Sequence, residues 1–284
     1  MTPEMRFEKW QALGNDYVIL EEDALPWELT PERIRRLCEP HRGIGSDGIL
    51  LISEVADQRY VAGLRIFNPD GSEAELSGNG AREAVLYLRR CNWTDDDEFA
   101  ILTKAGEIHP RVTGPHRATI AMGRASVSSP DYPSGGPDGT GIVTSAEREW
   151  RFQHVSIGNP QCVIDVGPEL EDLELGVIGP GIERSDLFPN RTNVSFIRVD
   201  GPDVRARIFE RGVGETLSSG TGAGGAAVAA FLRGAPSPLT VHLDGGELIV
   251  EVTDELDVRQ TGTASPVYRG QLSQELVREL ATAT

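Results

Sequence analysis

Residues 207–234 read RIFERGVGETLSSGTGAGGAAVAAFLRG, and residues 65–90 read RIFNPDGSEAELSGNGAREAVLYLRR. Laid over each other without a gap, the two stretches keep a constant offset of 142 (219 − 77), half the length of a 284-residue chain. Arg65/Arg207, Ile66/Ile208, Phe67/Phe209, Glu73/Glu215, Ser77/Ser219, Gly78/Gly220, Gly80/Gly222, Ala81/Ala223 and Ala84/Ala226 are identical pairs. A match this dense predicts two halves built alike. Each copy runs from a β-prone Arg-Ile-Phe through a Gly-rich turn to Ser-Gly-x-Gly-Ala and an alanine- and leucine-rich run that suits a helix. Ser77 and Ser219 are therefore expected at helix N-caps. The first N–H groups of a helix have no partner within it and lie at the positive end of its dipole, so glycines there leave an anion a clear approach. One copy alone reads as an ordinary cap above a tight turn; two matched copies favour paired anion sites facing each other across a cleft.

The offset divides the chain into an N-terminal half, 1–124, joined by 265–284, and a C-terminal half, 125–264. Residues 124–141, RASVSSPDYPSGGPDGTG, lack periodicity and are rich in Pro, Gly and Ser, which places the junction there. A net charge of −17 without a basic stretch argues against a nucleic-acid or anionic-membrane partner. The start MTPEMRFEKW has no apolar signal core, and no apolar run approaches the ~20 residues of a membrane span, so a cytoplasmic protein is expected. Cys38, Cys91 and Cys162 have neither disulfide nor metal spacing.

Strands are expected at 7–10 and 17–20, joined through Gly14-Asn15-Asp16. A helix should start at Thr30-Pro31 and run to about Cys38 before Pro40. Further strands are expected at 49–52, 99–103, 107–113 and 118–122, then at 149–157 and 162–166 on either side of Gly158-Asn159-Pro160. The second Gly-Asn pair follows the first at nearly the duplication offset. Residues 169–184 read as a short helix between Gly and Pro breaks. Strands follow from Asn193 and at 239–242, 247–252 and 257–260, then an extended stretch at 264–272 and a polar terminal helix at 273–283.

Gly14-Asn15-Asp16, Asn68-Pro69-Asp70-Gly71-Ser72-Glu73, Ser77-Gly78-Asn79-Gly80-Ala81-Arg82, Gly158-Asn159-Pro160 and Glu210-Arg211-Gly212-Val213-Gly214-Glu215-Thr216 with Ser219-Gly220-Thr221-Gly222 together resemble diaminopimelate epimerase, in order and over nearly the whole chain. The resemblance implies an α/β (α+β) fold of two pseudo-symmetric domains, each a curved, mainly antiparallel sheet wrapped around a central helix. It also implies a cytoplasmic homodimer that needs no cofactor and no metal, an isomerase whose small amino-acid substrate passes between the LL and meso forms by two-base proton transfer, in lysine and cell-wall synthesis. The catalytic positions are Ser77 and Ser219, where the family has cysteines, and Gln161 stands where it usually has a histidine. Carried over residue by residue, Asn15, Asn68, Asn159 and Asn193 hold the substrate ends, and Glu210 with Arg211 takes its distal ammonium and carboxylate. The α-carboxylate is expected between the N–H groups of Asn79 and Gly80 at one helix start and those of Gly220 and Thr221 at the other, with Gly78 also among the substrate-binding residues. Two other readings remain open at this stage: another isomerase or dehydratase on the same scaffold, and an amino-acid-binding homologue without proton transfer.

Overall fold

In the computed structural model, which describes residues 4–75 and 77–283, the polypeptide follows the duplicated pattern through most of its elements. The first half carries β1 (Arg6–Ala12), β2 (Asn15–Glu21), α1 (Pro31–Cys38), β3 (Ile49–Ser53), β4 (Tyr60–Phe67), β5 (Glu73–Ala74), α2 (Gly78–Arg90), β6 (Ala100–Thr103), β7 (Gly106–Ile108), β8 (Arg111–Gly114) and β9 (Arg117–Arg124). The second half carries β10 (Thr140–Ser145), β11 (Arg148–Ser156), β12 (Pro160–Asp165), α3 (Leu175–Glu183), β13 (Asn193–Asp200), β14 (Asp203–Glu210), β15 (Gly214–Thr216), α4 (Gly220–Leu232), β16 (Leu239–Leu243), β17 (Gly246–Val252) and β18 (Asp257–Thr263), and the chain ends in β19 (Ser265–Gln271) and α5 (Gln274–Thr282).

Two compact units result: Met1–Ile120 with Gly262–Thr284, and Ala121–Thr261. In the first, the strand order is β19-β1-β2-β3-β4-β6-β7, with β5 against β4. In the second it is β10-β11-β12-β13-β14-β16-β17-β18, with β15 against β14. Both sheets are mixed, and their parallel pairs fall at matching places: β2 with β3 and β4 with β6 in one, β12 with β13 and β14 with β16 in the other. The small hairpins also keep one register, Ile66↔Ala74 and Phe67↔Glu73 against Ile208↔Thr216 and Phe209↔Glu215. Their conserved ion pairs explain two of the identities in the repeat: Arg65–Glu73 at 2.9 Å and Arg207–Glu215 at 2.7 Å.

Each sheet packs around one buried helix. α2 lies against β1, β2 and β3, and α4 against β11 through β14 with β16 and β17. Nine of the thirteen residues of α4 are Gly or Ala, so the strands approach its axis closely, and most positions of both helices are buried. The outer faces have their own cores: Phe7, Val18, Ile34, Leu37, Leu51, Val277 and Leu280 beneath α1 and α5, and Trp150, Phe152, Ile178, Ile182, Phe196 and Phe209 beneath α3.

Thr30 caps α1 with its hydroxyl on the Arg33 N–H, Pro31 takes the first turn where a missing N–H costs nothing, and Glu39 returns to extended backbone before Pro40. The structure corrects two sequence expectations. The single strand at 107–113 is two strands, because Pro110 has no N–H to give a ladder. Residues 169–184 hold a short 3-10 turn (Gly167–Asp172) and then α3, which continues through Pro180. Within the stretch read as the junction, Tyr132 is buried with its ring 5.2 Å from Phe152 and 5.7 Å from Phe188. Among the described residues no helix is long and apolar enough to cross a membrane.

Candidate functional site

In the first unit the turn after β4 leads through β5 to the start of α2. Asn68 closes that turn, donating from its main chain to Ser72 O (2.8 Å) and from Nδ2 to Ser72 Oγ (3.0 Å). Ser77 is extended (φ −131, ψ 123), and its Oγ accepts the Gly80 N–H at 3.1 Å, which makes it the N-cap of α2. The Tyr17 hydroxyl donates to the same oxygen at 3.3 Å. Beside it runs a chain of amides. Asn79 Nδ2 donates to Asn15 Oδ1 (3.3 Å), Asn15 Nδ2 to Asp47 Oδ2 (2.9 Å), and Arg82 Nη2 to Asn79 Oδ1. Asp47 Oδ2 also accepts the Asp16 N–H at 3.0 Å. Burial raises the Asp16 carboxyl above its ordinary pKa, against the pull of Lys9, whose Nζ is 2.8 Å away. Asn15, Ser77, Gly78, Asn79 and Gly80 thus gather at one helix start, with Asn68 in the turn before it.

The second unit repeats the arrangement with different chemistry. Ser219 (φ −142, ψ 120) caps α4, accepting the Gly222 N–H at 3.3 Å. Its hydroxyl donates to Glu210 Oε2 at 3.0 Å, and Thr216 Oγ1 donates to Glu210 Oε1 at 2.8 Å. The β14–β15 pairing, Ile208↔Thr216 and Glu210↔Gly214, brings these groups together. The turn that carries Glu210 is held from beneath. Asn193 Oδ1 accepts the Arg211 N–H (2.9 Å) while its Nδ2 donates to Pro160 O (3.1 Å), and the buried Glu183 accepts the Gly212 N–H (2.8 Å) and pairs with Arg191. Arg211 is exposed and donates from Nη1 to Asn190 O at 2.8 Å. Asn159 Nδ2 donates to Thr221 Oγ1 (3.2 Å) and its Oδ1 accepts from Gln161 Nε2 (2.5 Å). Gln260 Nε2 ties down Gly220 O at 2.6 Å.

Within this unit Asn159, Asn193, Glu210, Arg211, Ser219, Gly220 and Thr221 therefore surround one helix start. Glu210, expected on a distal ammonium, spends its carboxylate on Ser219 and Thr216. Tyr17, Thr216, Glu183 and Gln260 belong to these clusters without standing among the expected residues. Tyr17 had a readable signal: it lies two residues after Asn15, as Gln161 lies two after Asn159. Glu183 had none, since its partners are brought to it by a turn 29 residues away.

A hydroxyl bonded to a carboxylate can hand over its own proton while taking one from a carbon acid. The N–H groups that open α2 and α4 suit an anion beside it. Among the described residues no group of His, Cys, Asp and Glu is arranged to hold a metal ion.

A profile of the diaminopimelate epimerase family matches residues 7–128 and 153–267. "Diaminopimelate epimerase 2" of Nostoc sp. is 38% identical over 281 residues, covering 96% of this chain and 97% of that protein. The diaminopimelate epimerase of Moorella thermoacetica is 39% identical over 280 residues, covering 94% and 98%. Among solved structures, a hydroxyproline epimerase from Agrobacterium vitis superposes with a TM-score of 0.67 at 16% identity, covering 95% of this chain and 91% of that one. A methylitaconate-delta-isomerase does so at 0.63 and 11%, covering 97% and 98%. At such identities the structures share the fold alone, whereas the full-length sequence relatives and the profile fix the family. The chain belongs to the diaminopimelate epimerase family.

Proposed function

We propose that this protein interconverts LL- and meso-diaminopimelate by cofactor-independent proton transfer at the α-carbon, serving lysine and cell-wall synthesis. The observation that carries the reading is the Ser219–Glu210 pair at the N-terminus of α4, 3.0 Å between oxygens. A serine hydroxyl is too weak an acid to give up its proton to water alone, and a carboxylate in direct hydrogen bond supplies the missing acceptor. In this reading Ser219 and Ser77 are the two proton-transfer groups. Gly78, Asn79, Gly80, Gly220 and Thr221 receive the α-carboxylate, Asn15, Asn68, Asn159 and Asn193 frame the substrate, and the exposed Arg211 takes the distal carboxylate with its planar fork.

The test is solvent exchange. Incubated with LL-diaminopimelate in D2O, the protein is expected to place deuterium at the α-carbon and to form the meso isomer. Glu210→Gln keeps the shape but removes the acceptor, and both rates should fall by about 10²- to 10⁴-fold, the usual contribution of a general base, with KM little changed. A wild type that incorporates no α-deuterium from either isomer would remove this reading in favour of an amino-acid-binding role.

A further inference from the structure

The two serines hold like positions on like helices, yet their hydroxyl partners are opposite in kind. Ser219 meets one donor, the Gly222 N–H, and one acceptor, Glu210. Ser77 meets two donors, the Gly80 N–H at 3.1 Å and the Tyr17 hydroxyl at 3.3 Å. A carboxylate draws the proton off a serine, whereas two donors on one oxygen leave its own hydrogen directed elsewhere and favour the anion that remains when that hydrogen is given away.

Tyr17 is fixed in place. Its side chain is buried, its ring lies where a Cβ on Gly48 would come within 2.7 Å of Cε1, and its main chain is paired to Trp10 on β1. Only Gly at position 48 leaves room for that ring, so the phenol oxygen stays on Ser77. A phenol, with an ordinary pKa of about 10, is also a far stronger acid than an aliphatic alcohol.

We propose that Tyr17 is the proton-supplying partner of Ser77, a positioning residue that makes Ser77 the acid of the pair while Glu210 makes Ser219 the base. The proposal rests on the epimerase reading above. In the step so described the α-C–H bond breaks and its electron pair stays on carbon. That proton goes to Ser219 Oγ as the serine's own proton goes to Glu210. As the carbanion is reprotonated the Ser77 O–H bond breaks, a new C–H bond forms, and the charge left on Ser77 Oγ is held by the Gly80 N–H and quenched by the Tyr17 proton, leaving a phenolate. Solvent then returns one proton to Tyr17 and removes one from Glu210.

Tyr17→Phe, which keeps the ring against Gly48, is compared with wild type in D2O starting separately from the LL and the meso isomer. Inversion is expected to fall by about 10- to 100-fold in the variant. From the isomer whose α-hydrogen meets Ser219, the ratio of deuterium exchange to inversion should rise, because the carbanion still forms and waits for its new proton; from the other isomer exchange and inversion should fall together. Ser77→Ala should give the same one-sided pattern, and Ser219→Ala the pattern from the opposite isomer. Parallel losses of exchange and inversion from both isomers would identify Tyr17 as packing alone and overturn the proposal, as would unchanged inversion or a pattern matching Ser219→Ala. A wild type that neither exchanges nor inverts overturns the epimerase reading itself, and this assignment with it.

Discussion

Glu83 and Arg82, neighbours on α2, are both fully buried. Among the described residues neither Glu83 oxygen has a hydrogen-bond partner, and of the Arg82 nitrogens only Nη2 has one, Asn79. Burial drives the Glu83 carboxyl well above its ordinary pKa, outweighing the attraction of Arg82, while burial pushes the Arg82 guanidinium down to about 10. A carboxyl whose folded pKa is raised keeps a proton that the unfolded chain has released above its ordinary value of 4.5. The stability it contributes is therefore complete in acid and is lost as the pH rises from there towards the folded pKa, opposite to the ion-paired Glu73, whose carboxyl is lowered by Arg65. Glu83→Gln needs no proton to be buried. Its urea midpoint should exceed that of wild type at pH 8 and draw close to it at pH 4.5; a difference independent of pH would mean that Glu83 is not held neutral in the folded protein.

At the scale of the element, α2 and α4 are one design filled in two ways. Where α2 carries Arg82 and Glu83, α4 carries Gly224 and Gly225, and the space is taken by glutamines from neighbouring strands. A Cβ on Gly225 would stand 2.9 Å from Gln161 Cγ and 3.0 Å from its Cβ. The Gln161 Cβ is fixed by β12, so Gly225→Ala forfeits more by overpacking, about 1–3 kcal/mol, than it gains in helix propensity, about 1 kcal/mol. A net loss of up to about 2 kcal/mol in denaturant unfolding is expected, and an equal or higher midpoint would show that Gln161 has room to withdraw. The same helices mark what sequence can reveal. Their limits and their serine caps were legible because a cap, its glycines and the following apolar run all lie within one turn of chain. The halving of the fold was legible because Arg65–Glu73 and Arg207–Glu215 preserve one hairpin twice. The contacts of the serines were not, even where the place of a partner could be read, as for Tyr17 two residues after Asn15. Tyr17 reaches Ser77 from 60 residues away, and Glu210, though only nine residues from Ser219, turns to it through a hairpin whose register no local pattern announces. The same distance hides Gln260 beneath Gly220, 40 residues off. The break at Pro110 was readable and is the one place where a simple rule outweighs the run of β-prone residues.

On the scale of the whole molecule, the duplication keeps its pairing order over seven strands of each sheet, β19 to β7 and β10 to β17, and is unequal in chain order. In the second unit the outermost strand, β10, precedes β11 along the chain; in the first, the corresponding place beside β1 is filled by β19, from the far end of the sequence. β19 pairs with β1 from Arg6↔Gln271 to Gln11↔Ser265, and α5, capped by Ser273, lays Val277 and Leu280 into the core that also holds Met5, Phe7, Ile34 and Leu37. Arg33 and Arg36 on α1 reinforce it, through Leu280 O at 2.7 Å and Glu279 at 2.8 Å. Deleting residues 262–284 strips β1 of one ladder and removes Leu272, Val277 and Leu280 from their contacts. Losing a buried leucine side chain costs about 2–5 kcal/mol, so three such losses approach or exceed the roughly 5–15 kcal/mol that holds a whole domain together. The truncated chain is therefore expected to lose its first unit rather than fray: trypsin should cleave within residues 4–120 under conditions in which the full-length protein is resistant, and the cooperative thermal transition should be missing or displaced far downward. Retention of the full-length midpoint and protease resistance would show that β1 to β7 close around α2 without the C-terminal segment, and that β19 and α5 cover the first sheet without holding it.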